Sequence, residues 1–83
     1  MKLRYFAWVR DQIGTSTEDF VLPPDVKTVE ELVCWLRQKS AKHASTLNDL
    51  KNIRFAVNYD FAQLSDAINA DDEIAIFPPV TGG

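Results

Sequence analysis

Thr28-Val29-Glu30-Glu31-Leu32-Val33-Cys34-Trp35-Leu36 is the stretch on which the fold turns, because the chain offers one strong helical signature and this is it. Thr28 to Glu31 fits a capping box, with the Thr28 hydroxyl accepting from the Glu31 amide and the Glu31 carboxylate reaching back. Two acids in the first turn also suit the positive end of the helix dipole. Val29, Leu32, Val33 and Leu36 recur at helical spacing and predict a buried stripe. Cys34 falls opposite that stripe and Trp35 at its edge, as a core flank. The helix is expected to run to about Lys42, and the polar residues 43–52 to form a loop with a short turn.

Outward from this helix the chain reads as strands. Residues 2–9 are rich in β-formers and hold no Gly or Pro, which predicts a strand. Leu3, Tyr5, Ala7 and Val9 would share one face, with Arg4, Phe6 and Trp8 on the other. Gly14-Thr15-Ser16 is turn-like, Thr17 to Leu22 reads as a second strand completing a hairpin, and Pro23-Pro24-Asp25 ends it. Downstream, Arg54 to Asn58 predicts a third strand, Leu64 and Ile68 anchor the next connection, and Glu73 to Phe77 forms the last strand, stopped by Pro78. The order β-β-α-β-β predicts an α+β domain, a sheet of four to five strands carrying one main helix. One helix covers one face, so the other is solvated or covered by a partner. Phe6, Trp8 and Phe77 fall on that other face and Phe61 lies close by, which suggests a binding patch.

The bulk properties exclude several classes. Eighty-three residues make one small domain with a modest core. A formal net charge of −3 with spread acids argues against a nucleic-acid binder. No apolar run has membrane-spanning length and the first residues lack a signal-peptide pattern. The single cysteine cannot form an internal disulfide, so a reducing cytoplasm is the expected location.

The final residues, Pro78-Pro79-Val80-Thr81-Gly82-Gly83, read as a stiff extended arm with a thin tip. Such an arm suits delivery of a terminal carboxylate into another protein's active site; the plainer alternative is a frayed chain end. Tyr5-Phe6-Ala7-Trp8-Val9-Arg10-Asp11, Phe55-Ala56-Val57-Asn58 and the segment from Asp72 through Phe77-Pro78-Pro79-Val80-Thr81-Gly82-Gly83 resemble the first strand, third strand and tail of the ubiquitin-like sulfur carriers. Within that family the pattern resembles that of the small subunits of molybdopterin synthase. Residues 15–50 match in pattern only; the tail motif is the specific one.

The resemblance implies a β-grasp domain over residues 1–77 and an extended tail over 78–83. It implies that an ATP-dependent activating enzyme adenylates the Gly83 carboxylate and that a sulfur source converts it to a thiocarboxylate, Gly82 serving as the flexible neighbour. The sulfur would pass to a cyclic pyranopterin precursor, making the dithiolene of the molybdenum cofactor. The implied partner is a large catalytic synthase subunit, in an assembly of two small and two large chains. Its contact would use Phe6, Arg10, Phe61, Phe77, Pro78, Pro79, Val80 and Thr81. No bound cofactor, metal, nucleic acid or membrane is implied, and the chain would be a sulfur-donating, non-catalytic subunit. A carrier for thiamine thiazole synthesis and a ubiquitin-like protein modifier are the alternatives. Asp71 stands where the family usually has a turn glycine, which questions the local geometry there.

Other constellations carry little. Lone His43 reads as a solvated loop histidine, since a metal site needs companions. Cys34 reads as an incidental surface thiol with nothing nearby to lower its pKa, and Asp71-Asp72-Glu73 as a solvated turn. No nucleophile-elbow pattern accompanies the serines.

Overall fold

A computed structural model describes residues 1–79. Five strands, β1 (Lys2–Tyr5), β2 (Thr17–Asp19), β3 (Arg54–Val57), β4 (Asp60–Ala62) and β5 (Glu73–Phe77), form one mixed sheet in the order β2-β1-β5-β3-β4. Three helices, α1 (Ala7–Ile13), α2 (Val29–Arg37) and α3 (Ala41–Thr46), accompany it, with a 3₁₀ turn at Leu50–Asn52. β5 is the middle strand, parallel to β1 and antiparallel to β3. A helix laid across such a sheet is the β-grasp arrangement the chain resembles.

Alternation along the strands builds the core. Leu3 and Tyr5 of β1 stand opposite Ile74 and Ile76 of β5, and Ile76 in turn stands opposite Phe55 of β3. All five are buried, a continuous apolar layer of cross-strand neighbours. The α2 stripe of Val29, Leu32, Val33 and Leu36 covers it. The capping box forms: the Thr28 hydroxyl accepts from the Glu31 amide at 3.2 Å. The Glu31 carboxylate reaches one residue further back than expected, accepting from the Lys27 amide at 2.8 Å. Ile68 is buried and Leu64 packs at the core's edge, as read from the sequence.

Several expectations are corrected. The strand at 2–9 breaks after Tyr5: Ala7 takes φ 52 and begins α1, so Val9 is buried as a helical residue with Ile13. Gly14, at φ 98, ends α1 by donating its N–H to Arg10 O at 2.8 Å, a left-handed cap of the kind glycine favours. Trp8 therefore sits half-buried on α1, beside the core rather than on the open sheet face. The second strand closes at Asp19 instead of Leu22, although Phe20 still bonds Met1 in both directions.

The main helix stops at Arg37 instead of near Lys42, because Ser40 caps a new helix, its Oγ accepting from the His43 amide at 3.1 Å. The expected loop at 43–52 is thus mostly α3 and the 3₁₀ turn. The third strand ends at Val57, and Asn58 and Tyr59, both at positive φ, turn the chain into β4. Asp71 meets its turn without a left-handed backbone; its neighbour Asp72 secures the corner instead, accepting from the Asn69 amide at 2.7 Å and from Asn58 Nδ2 at 2.9 Å.

Candidate functional site: the open sheet face and the root of the tail

The face of the sheet away from α2 carries Arg4 on β1, Ala75 and Phe77 on β5, Ala56 on β3 and Phe61 on β4, as the two-residue alternation dictates. Phe6, still extended at φ −127, continues the alternation onto this side, and its amide donates to Ile76 O at 3.1 Å. Small residues at 56 and 75 leave the floor shallow, so the aromatic rings rise from it. The Phe61 and Phe77 rings lie 6.0 Å apart and tilted by 50°. Phe61 is 81% exposed and Phe6 45%, a solvent cost that a covering partner would relieve. Arg4 borders the patch, its Nε 2.8 Å from the Glu73 carboxylate.

β5 leads from this patch straight into Pro78 and Pro79, both half-buried. The structure thus brings Phe6, Phe61, Phe77, Pro78 and Pro79 to one end of the middle strand. Arg10 is exposed on α1, its amide donating to Phe6 O at 3.3 Å and its Nε 3.5 Å from Asp11. Val80, Thr81, Gly82 and Gly83 lie outside the described residues.

A polar cluster that the sequence reading missed lies across the core. His43, expected in solvent, is buried, its Nε2 donating to Glu18 Oε1 at 2.7 Å and its Nδ1 2.6 Å from Ser40 Oγ. The Tyr5 hydroxyl donates to the same Glu18 oxygen at 2.6 Å, and Lys39 Nζ lies 3.9 Å from the other. Burial is the largest influence on Glu18 and opposes its ionisation. Hydrogen bonds from His43 and Tyr5 and the charges of His43 and Lys39 together outweigh it, holding the carboxyl below its usual range. Burial above all, then the bond to Glu18 and its charge, push the Tyr5 hydroxyl far up, so it stays a donor. The cluster ties β1, β2 and α3 together. His43 and Thr46, three residues apart, are both buried on the inner side of α3, and being polar they leave no hydrophobic pattern in the sequence to mark it.

Two side chains of α2 stand as they were read. Cys34 is exposed on α2, and Trp35 flanks the core with its ring 4.7 Å from that of Phe20. Among the described residues no group of three or more His, Cys, Asp or Glu side chains could hold a metal ion, and no helix is long and apolar enough to cross a membrane.

Comparison with known proteins agrees with this architecture. Residues 3–83 match the family model described as the ThiS family. The molybdopterin synthase sulfur carrier subunit of Escherichia coli (strain K12) is 36% identical over 83 residues, covering 100% of this chain and 99% of that protein. The subunit of the same name from Haemophilus influenzae is 37% identical over 83 residues, with the same coverage. The crystal structure of SAMP1 from Haloferax volcanii superimposes with a TM-score of 0.74 at 28% identity, covering 100% of this chain and 98% of that one. A tail-bearing middle strand, a mixed sheet spanned by α2, and full-length similarity of this order place the chain in the ThiS family, alongside the molybdopterin synthase sulfur carrier subunits.

Proposed function

We propose that this chain carries sulfur as a thiocarboxylate on Gly83 and delivers it to the large subunit of molybdopterin synthase. The observation that supports this most directly is the continuity of the Phe6–Phe61–Phe77 patch with Pro78 and Pro79: the surface a partner would cover ends where the tail begins. Docking there fixes the base of the tail, and the six residues from Pro78 to Gly83, at up to about 3.5 Å each, reach roughly 20 Å into the partner.

The chemistry belongs to the tip. A carboxylate is a poor electrophile, so an activating enzyme first joins a Gly83 oxygen to the α-phosphorus of ATP, releasing pyrophosphate. Sulfide-level sulfur, as HS−, then attacks the acyl carbon and AMP departs with the oxygen, leaving the thiocarboxylate and releasing a proton. In the synthase this sulfur attacks a carbon of the cyclic pterin precursor, and water then cleaves the acyl–sulfur bond, returning the Gly83 carboxylate and leaving the sulfur on the precursor. Two sulfurs are needed per dithiolene, so two loaded carriers serve each product. The contribution of this chain is placement, which converts an encounter between two proteins into an effectively intramolecular reaction. Gly82 and Gly83 keep the tip thin enough for a narrow channel.

Intact mass spectrometry of the protein purified from its host tests the reading. A fraction heavier by one oxygen-to-sulfur exchange, localised to Gly83 and absent from a Gly83 deletion, is expected. Lysine-linked conjugates in place of that species would move the chain to the protein modifiers, and co-purification with thiazole-forming enzymes to thiamine synthesis. A Gly83 deletion that still sustains molybdopterin formation would refute the carrier role.

A further inference from the structure

Beside the root of the tail lies a cleft of about 560 Å³, within the size range of specific ligand sites. Trp8 and Gln12 of α1 form one wall, Thr46 and Asp49 another, and Pro78 and Pro79 the third. Asp49 is the one charged side chain among the described residues of the lining. Its carboxylate accepts from the Lys51 amide at 3.3 Å and from Asn52 Nδ2 at 2.6 Å, and no basic side chain among the described residues pairs with it. A carboxylate offers about four acceptor positions, so roughly two remain. Thr46, 2% exposed, contributes a buried hydroxyl with no partner among the described residues.

We propose that this cleft receives a basic side chain, lysine or arginine, of the large synthase subunit, held between the Asp49 carboxylate and the Trp8 ring as the tail enters its channel. The charge complementarity is local: Asp49 and Trp8 both line the cleft, and a carboxylate attracts a cation by ion pairing while an indole does so through its ring face. The cleft also adjoins the patch along the chain, because Pro78 and Pro79, which line it, directly follow Phe77. A partner gripping the tail would thus close on its root through two contacts, apolar on the sheet face and ionic in the cleft. The inference rests on the carrier reading for its partner, and on the cleft alone for its chemistry.

The test is the Kd for the host's large synthase subunit at low and moderate salt, with wild-type, Asp49→Asn, Asp49→Glu and Trp8→Leu carriers. Asp49→Asn preserves shape and the acceptor that caps the 3₁₀ turn while removing the charge. It is expected to weaken binding about tenfold at low salt and to flatten the salt dependence, with Asp49→Glu recovering part of the loss. Trp8→Leu keeps apolar bulk at the core's edge and is expected to weaken binding by a further several-fold. Wild-type and Asp49→Asn carriers with Kd values within about twofold and equal salt slopes would overturn the proposal, whatever Trp8→Leu does. Wild-type carrier that does not bind the large subunit at all would instead refute the carrier reading, and the cleft's occupant with it.

Discussion

Phe61→Ala separates binding from folding more cleanly than any other change on the open face. A phenylalanine exposes about 200 Å² of side chain when free, so at 81% exposure some 160 Å² still meets water. Complete coverage by a partner, at about 25 cal/mol per Å², would be worth about 4 kcal/mol. The methyl group that alanine keeps, and the ordering a partner must pay to seat the ring, reduce the expected loss to about 2 kcal/mol. That is roughly a thirtyfold rise in Kd. Folding should respond far less, since the ring's intramolecular role is its contact with Phe77 at 6.0 Å, and such pairs contribute about 1 kcal/mol. Calorimetric titration against the large subunit, paired with urea unfolding of the free carrier, reads both quantities. A Kd within about twofold of wild type would remove Phe61 from the interface. A stability loss as large as the binding loss would show that the ring props up β4 rather than greeting a partner.

Two further outcomes concern the fold itself. Glu18→Gln should cost about 2 kcal/mol near neutral pH, by weakening two charge-assisted bonds to a largely buried acceptor. Because the folded-state pKa of Glu18 is depressed, the unfolded chain takes up the proton first as pH falls. Its contribution is therefore full above the ordinary value of 4.5 and lost below it, so thermal melts of wild type and variant should converge in acid; a pH-independent gap would count against the linkage. Gly14→Ala should lower stability by about 1–2 kcal/mol through backbone strain alone, since Gly14 sits at φ 98 while an added Cβ would meet Lys42 Nζ at an ordinary 3.6 Å. A urea midpoint equal to wild type would show that α1 can end another way.

What was legible in the sequence followed from strong periodicity and punctuation. The α2 stripe, its cap, the β5 alternation and the proline stop all combine a pattern with a terminator, and each stands where it was read. The strand at 2–9 failed because period two and period 3.6 both fit Leu3-Tyr5 followed by Val9 and Ile13. The deciding clue was Gly14, one residue past Ile13, where a helix wants a left-handed cap. α3 failed for a different reason: its buried side chains are His43 and Thr46, and polar residues leave no hydrophobic period to detect. His43 becomes a core residue only because Glu18 and Tyr5, 25 residues or more away in sequence, arrive to satisfy it, a tertiary fact that local reading cannot supply. For the patch, Phe6, Phe61 and Phe77 were legible from alternation and proximity, whereas Trp8 left it when its strand became a helix.

The central position of β5 also bears on the birth of the protein. Without that strand the sheet falls into two separate pairs, β1 with β2 and β3 with β4, and a two-stranded pair is marginal on its own in water. The nascent chain therefore cannot complete its sheet until residue 77 has cleared the ribosome, only a few residues ahead of the glycines. A translation product that ends before β5 lacks the strand that joins the two pairs, whereas one that ends within residues 78–83 retains the whole sheet. Strand order thus ties a complete sheet to synthesis through Phe77, the residue that immediately precedes Pro78 and Pro79.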